Sequence, residues 1–333
     1  MKRSERIIAL LGFVALTQAC SSDEHLVGPP AARRVKAEKR HFADDDQPRY
    51  SDWSTPVNLG PVVNSSANEQ HPAISRDGRS LYVSSDRPGG LGMLDIWVSH
   101  RESVDAPWGA LQNLGPNINS AGMDLAPAFT PDGHRMYFHS FGRGGCGLAD
   151  IFVARRHSRR DDLGWQPAEN LGCVVNSAYR DAGPTYFEDE ATGITTLYLT
   201  VQNNPPGADQ GWDIYASTRV GDEGDFGPPA LVPELSSPFR DTRTAIRRDG
   251  LEIFLSTGRP GGVGGEDVWV ATRATTQDAW SQLVPLGPVV NSAGFDGAPA
   301  LSSGGTELYF FSDRPGGYGK NDLYVSTRTR IKD

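Results

Sequence analysis

Apolar residues recur along this chain in short alternating runs, not at helical spacing. Leu81-Tyr82-Val83-Ser84-Ser85 returns as Leu308-Tyr309-Phe310-Phe311-Ser312. Asp95-Ile96-Trp97-Val98 returns as Asp150-Ile151-Phe152-Val153, Asp213-Ile214-Tyr215, Asp267-Val268-Trp269-Val270 and Asp322-Leu323-Tyr324-Val325. Runs of this length and composition predict buried or half-buried strands. A further strand is predicted at Pro72-Ala73-Ile74-Ser75, echoed by Pro127-Ala128-Phe129-Thr130 and Pro299-Ala300-Leu301-Ser302. It is followed by Asp77-Gly78 or Asp132-Gly133, a strong hairpin signal. Between the second and third runs lies a glycine-rich loop, as in Arg87-Pro88-Gly89-Gly90, Arg259-Pro260-Gly261-Gly262 and Arg314-Pro315-Gly316-Gly317.

The runs belong to a repeat. Trp53, Trp108, Trp165, Phe226 and Trp280 open five segments, at spacings of 55, 57, 61 and 54 residues. Each opening aromatic leads to Leu59-Gly60, Leu114-Gly115, Leu171-Gly172, Leu231-Val232 or Leu286-Gly287. Then comes Asn64-Ser65, Asn119-Ser120, Asn176-Ser177 or Asn291-Ser292, with Ser236-Ser237 in the fourth segment. The stretch from the aromatic to the Leu-Gly pair supplies a fourth strand. Four short antiparallel strands per unit, repeated at this period, predict an all-β five-bladed β-propeller over residues 51–333. The chain enters on a lone fourth-type strand and leaves after a third-type strand. The N-terminal strand is therefore expected to complete the last blade and remove a free sheet edge. These motifs, over residues 51–329, resemble the WD-like propeller repeat of TolB-type periplasmic proteins. The resemblance implies protein partners or cell-wall association, and the five segments depart from the six blades of the TolB type itself.

Composition adds the compartment. Lys2, Arg3 and Arg6 precede the apolar stretch Ile7 to Leu16, too short for a stable membrane span, and Thr17-Gln18-Ala19-Cys20 follows. Residues 1–19 read as a signal peptide, and Cys20 as the lipidated first residue of a lipoprotein. Residues 20–50, with Pro29-Pro30 and mixed charge, read as a flexible tether. The expected location is the bacterial cell envelope, periplasmic or at the cell surface, with the membrane reached only through the lipid. A net charge of −9 argues against nucleic-acid binding, and a monomer is expected.

One acid precedes each innermost strand: Glu69, Asp124, Asp181, Asp241 and Asp296. Five-fold geometry puts them round the mouth of the central channel, with Arg87, Arg143, Arg259 and Arg314 on the same face. The third segment has Gln202-Asn203-Asn204-Pro205 in place of the arginine. Three roles are open to the acids. Adjacent carboxylates raise one another's pKa, as acid and base pairs in glycosidases require. No cofactor is expected, although clustered carboxylates also suit Ca²⁺. An acid repeated in every blade equally suits a structural role, since enzymes usually break their repeat at the site. The third-strand Asp95, Asp150, Asp213, Asp267 and Asp322 read as structural. Cys146 and Cys173 fall in loops on one face and, with Cys20 committed to lipid, are expected to form a disulfide. Gly142 to Gly147 fits G-x-G-x-x-G, but no helix follows to hold a pyrophosphate. The favoured function is a non-catalytic envelope scaffold, not an enzyme, that presents this face to an envelope protein or a cell-wall glycan. The alternative is a glycan-active hydrolase using carboxylates at the channel mouth.

Overall fold

The computed structural model describes residues 48–202, 211–221 and 224–331. The expected signal peptide, most of the tether and the lipidation site Cys20 lie outside the described residues. The described chain is a five-bladed propeller. In blade 1, Glu69–Ile74 is the inner strand, followed outward by Ser80–Ser85, Asp95–His100 and Gln112–Asn113. Blades 2, 3 and 4 repeat the order from inner strands Met123–Phe129, Arg180–Asp189 and Asp241–Ile246. Blade 5 runs Asp296–Leu301, Glu307–Ser312, Asp322–Thr327, and takes its outer strand, Val57–Asn58, from the start of the chain. Val57 pairs with Val325 and Asn58 with Tyr324. A second clasp pairs Arg49–Tyr50 with Arg330–Ile331. Because the ends meet by strand pairing, no edge of blade 5 is left open on that side.

The apolar pattern explains how the blades stack. Each interface between neighbouring blades holds one buried cluster. Tyr82, Ile96, Met136 and Phe152 fill the interface of blades 1 and 2, and Tyr137, Ile151, Tyr186 and Leu199 that of blades 2 and 3. Phe187, Leu255 and Trp269 pack between blades 3 and 4, Phe254 and Phe310 between 4 and 5, and Leu81, Val83 and Leu323 between 5 and 1.

The repeat-opening aromatics have a recurring partner. An arginine stands six residues after each third-strand Asp, and its guanidinium lies over the aromatic. The distances to the ring centres are 4.2 Å for Arg101 on Trp108, 4.4 Å for Arg156 on Trp165, 4.5 Å for Arg219 on Phe226, 4.1 Å for Arg273 on Trp280 and 4.4 Å for Arg328 on Trp53. In four blades the same arginine's Nε donates to the carbonyl of the hairpin glycine, Gly78, Gly133, Gly250 or Gly305. The pair locks the outer strand to the first hairpin, with cation–π attraction added to ordinary packing.

Candidate functional site

The five acids begin the inner strands, and four of them are fully buried with side chains 0% exposed: Glu69, Asp124, Asp241 and Asp296. Each accepts from the serine four residues earlier, Ser65, Ser120, Ser237 or Ser292. Each also accepts from the loop arginine, at 2.9 Å from Arg87, 3.1 Å from Arg143, 2.6 Å from Arg259 and 2.5 Å from Arg314. The same Nη2 atoms donate to the carbonyls of Val63, Ile118, Leu235 and Val290. The guanidiniums lie over Trp97, Phe152, Trp269 and Tyr324 of the third strands. In these four blades acids and arginines satisfy one another beneath the face, and guanidinium takes the place a Ca²⁺ would need. Among the described residues no group of three or more His, Cys, Asp or Glu is placed to hold a metal.

The neighbouring motifs complete this framework. Asn64 exchanges two hydrogen bonds with the backbone of Leu323, and Asn119, Asn176 and Asn291 do the same with Ile96, Ile151 and Val268. In the fourth segment Ser236 takes that place against Ile214. Third-strand Asp95, Asp150, Asp267 and Asp322 accept backbone N–H groups from the glycine-rich loops, which approach too closely for a side chain.

Blade 3 departs. Asp181 accepts twice from Ser177 with Oδ2, but Oδ1 is buried without a hydrogen-bond partner among the described residues. Burial pushes its carboxyl up to about 6, and the nearby charge of Asp150 adds to the rise. Beside this blade Cys146 and Cys173 form a disulfide, with Cα atoms 5.4 Å apart.

A cavity of about 470 Å³ opens at the channel mouth, and six positions next to the repeated ones, Met123, Trp212, Arg240, Glu266, Phe295 and Asn321, stand in its wall. The residue before the inner-strand acid is Asn68, Met123, Arg180, Arg240 or Phe295. The residue before the third-strand Asp is Leu94, Ala149, Trp212, Glu266 or Asn321. Only arginine recurs in the first set, at Arg180 and Arg240, and only Glu266 is acidic in the second. The wall combines aromatic surfaces from Phe141, Trp212 and Phe295 with Arg240, Glu266 and Asp313. Glu266 is 5% exposed. Its carboxyl accepts from the Thr242 hydroxyl at 2.8 Å and lies 3.9 Å from Arg240 Nε. Burial raises its pKa, although Arg240 and Thr242 oppose the rise. Asp313 on blade 5 is exposed and accepts the backbone N–H of Phe295 at 2.6 Å, while the backbone of Glu266 bridges to Phe295 from blade 4. Two carboxylates therefore flank Phe295 across one blade interface.

The cavity floor is a ring of bulges. Two residues after each acid the backbone turns left-handed, at His71 (φ 49°), Ala126 (59°), Gly183 (54°), Arg243 (47°) and Ala298 (50°). In four cases the N–H at this point donates to a side chain of the preceding blade: Ser84, His139, Thr200 or Ser256. At the closing interface the corresponding residue is Phe311, which packs on His71. Arg243 reaches across the channel, donating to the carbonyls of Ala126, Pro127 and Pro184 at 3.1, 3.0 and 3.2 Å. Desolvation brings its pKa down to about 9. Desolvation also drives His139 down to about 3 and His71 well below its ordinary value, both assisted by the Arg243 charge. Glu266, Asp313, Arg243 and the two histidines were not among the residues singled out by sequence. The signal of Glu266, Arg243 and the histidines is present only as breaks in the repeat, whereas Asp313 repeats Asp86 of blade 1, which likewise accepts a backbone N–H, from Asn68.

No family model matches the sequence, and no curated protein matches it. Solved structures do. The α-L-arabinofuranosidase PaAbf62A from Podospora anserina, solved with cellotriose, is 13% identical, with a TM-score of 0.56 over 86% of this chain and 99% of its own. An α-L-arabinofuranosidase from Lactobacillus brevis is 16% identical, with a TM-score of 0.53 over 83% and 94%. The GH43_1 enzyme from Xanthomonas citri, solved with xylose, is 15% identical, with a TM-score of 0.52 over 82% and 90%. At these identities the likeness establishes the propeller fold. It also corrects the sequence reading. The TolB-type resemblance finds no support, because the matching structures are glycoside hydrolases and no family model matches. The favoured reading as a non-enzymatic, lipoprotein-type envelope scaffold falls with it, and so does the expected envelope-protein partner. The repeated residues that carried the resemblance hold blades together, which every propeller needs whatever its function.

Proposed function

We propose that this chain is a glycan-active hydrolase whose active site is the cavity at the channel mouth. The observation that carries the reading is Glu266, a buried carboxyl of raised pKa that breaks the repeat and stands in the wall of a cavity. Hydrolysis of a glycosidic bond asks for an acid that still holds its proton at working pH and a second carboxylate near the anomeric carbon. In this assignment Glu266 protonates the departing glycosidic oxygen. Asp313 serves the anomeric carbon, directly or through a water. Phe141, Trp212 and Phe295 offer apolar faces to sugar rings. The likeness to arabinofuranosidase and GH43 structures supports the same reaction class. The Cys146–Cys173 disulfide and the leader-like residues 1–19 support an exported enzyme, where polymeric glycans are met.

The test is incubation of the full-length protein with arabinan, arabinoxylan, xylan, pectic and peptidoglycan oligosaccharides, with mass spectrometry of the products. Cleavage that is lost in Glu266→Gln supports the assignment. Absence of cleavage across the panel, or cleavage that survives in Glu266→Gln, refutes it.

A further inference from the structure

Building on the hydrolase reading of the cavity, we propose that its substrate is an acidic glycan, whose sugar carboxylate is received by guanidinium groups on the blade 3 and blade 4 side of the mouth. The protein is acidic overall, at −9, and the loop arginines beneath the face are neutralised by their ring acids. Three other arginines have no ring acid as partner: Arg240 and Arg243 in the cavity wall, and Arg180 packed against the wall residue Phe141.

Arg180 donates to the neutral amide of Gln202 at 3.0 Å, and its Nε is buried without a partner. Arg243 is buried and gives its hydrogen bonds to three neutral carbonyls, with Nε again unpartnered. Arg240 has Glu266 as its carboxylate neighbour among the described residues, at 3.9 Å, and half of its side chain is exposed. All three lie within two residues of the ring acids of blades 3 and 4, while Glu266 and Asp313 lie toward the interface of blades 4 and 5.

A guanidinium buried without an anionic partner, wholly at Arg243 and at Nε in Arg180, is costly, and Arg240 has the single long contact with Glu266. A carboxylate from the ligand supplies the missing charge through charge-assisted, bidentate hydrogen bonds. Hydroxyl groups of a neutral sugar cannot. The aromatic surroundings favour a sugar acid over a small inorganic anion. The Arg180 guanidinium sits 5.9 Å from the Phe141 ring centre, and that of Arg240 5.7 Å from the Trp212 ring centre. Phe141 and Trp212 both line the cavity. Each cation therefore stands beside a surface fit for a sugar face. The volume of about 470 Å³ falls within the ordinary range for small-ligand sites.

Titration calorimetry on the full-length protein tests this with two matched pairs. One is tetragalacturonate against its methyl ester, and the other is glucuronic-acid-substituted xylotriose against plain xylotriose. The expected result is at least one pair in which the acidic member binds about tenfold or more tightly, as one charge-assisted contact would give. That preference shrinks with added salt and is lost in Arg240→Gln, whose unfolding midpoint reports that it still folds. A neutral member binding as well as its acidic partner in both pairs overturns the proposal and leaves the hydrolase reading intact. A preference that survives in both Arg240→Gln and Arg180→Gln also overturns it. Absence of binding to all four, together with no cleavage in the wider panel, removes both readings.

Discussion

Two rings of residues lie side by side at the channel mouth and differ in almost every property. The acid–arginine ring repeats from blade to blade, is fully buried in four of them, and is satisfied internally. The residues one position away vary from blade to blade apart from Arg180 and Arg240, six of them line a cavity, and they include a carboxyl of raised pKa beside incompletely neutralised arginines. The difference teaches that a repeat protein separates its tasks by symmetry. What every blade needs is written five times. What one ligand needs is written once, on positions that the first ring holds in place.

Blade 3 blurs this comparison, because it has the ring acid without the arginine, and it offers the sharpest perturbations. The largest effect should come from the intact ring. Asp296→Ala leaves Arg314 buried without its partner and should cost about 3–5 kcal/mol, read from urea unfolding. Next comes the Cys146–Cys173 bridge, which closes a loop with a sequence separation of 27 residues. Replacing both cysteines by serine should cost about 3–4 kcal/mol on the loop-entropy estimate.

Asp181→Asn should have the opposite sign from Asp296→Ala. Burial raises the folded carboxyl to about 6, against 3.8 for an ordinary aspartate. The wild type is therefore spared the penalty below about pH 4, loses stability as pH rises through 6, and carries the full penalty above it. The variant should be about 1–3 kcal/mol more stable at pH 8, and the gain should vanish below pH 4. A destabilised Asp181→Asn at pH 8 would show that blade 3 uses its acid as the other blades do. The smallest effect concerns Glu266. Arg240 lowers its pKa, so Arg240→Gln should move the alkaline limb of the kcat/KM profile to higher pH.

The sequence made the repeating ring legible and the cavity illegible for one reason. Repetition is visible along a chain, whereas convergence of single residues is visible only when the chain closes. The strand runs, the Asn-Ser pairs and the closing strand follow from patterns that recur. Arg101, Arg156, Arg219, Arg273 and Arg328 also recur, at a fixed six residues after the third-strand Asp, and were legible in principle. Glu266 stands beside Asp267, and Arg240 beside Asp241. Alignment of the five segments, read for columns that vary next to columns that do not, points to both. The TolB-type resemblance misled because its residues report blade construction alone. The left-handed bulges were beyond reach, since Ala126, Arg243 and Ala298 are not residues that favour positive φ.

The most direct test puts an isosteric change in each ring and reads stability and catalysis on the same samples. Asp124→Asn and Glu266→Gln would be compared by urea midpoint and by turnover of a glycan that the wild type cleaves. The account predicts that Asp124→Asn lowers the midpoint while turnover per folded molecule stays within a few-fold. Glu266→Gln should hold the midpoint and lose about a hundredfold or more in turnover. Loss of turnover in a well-folded Asp124→Asn, with Glu266→Gln fully active, would contradict the division between the two rings.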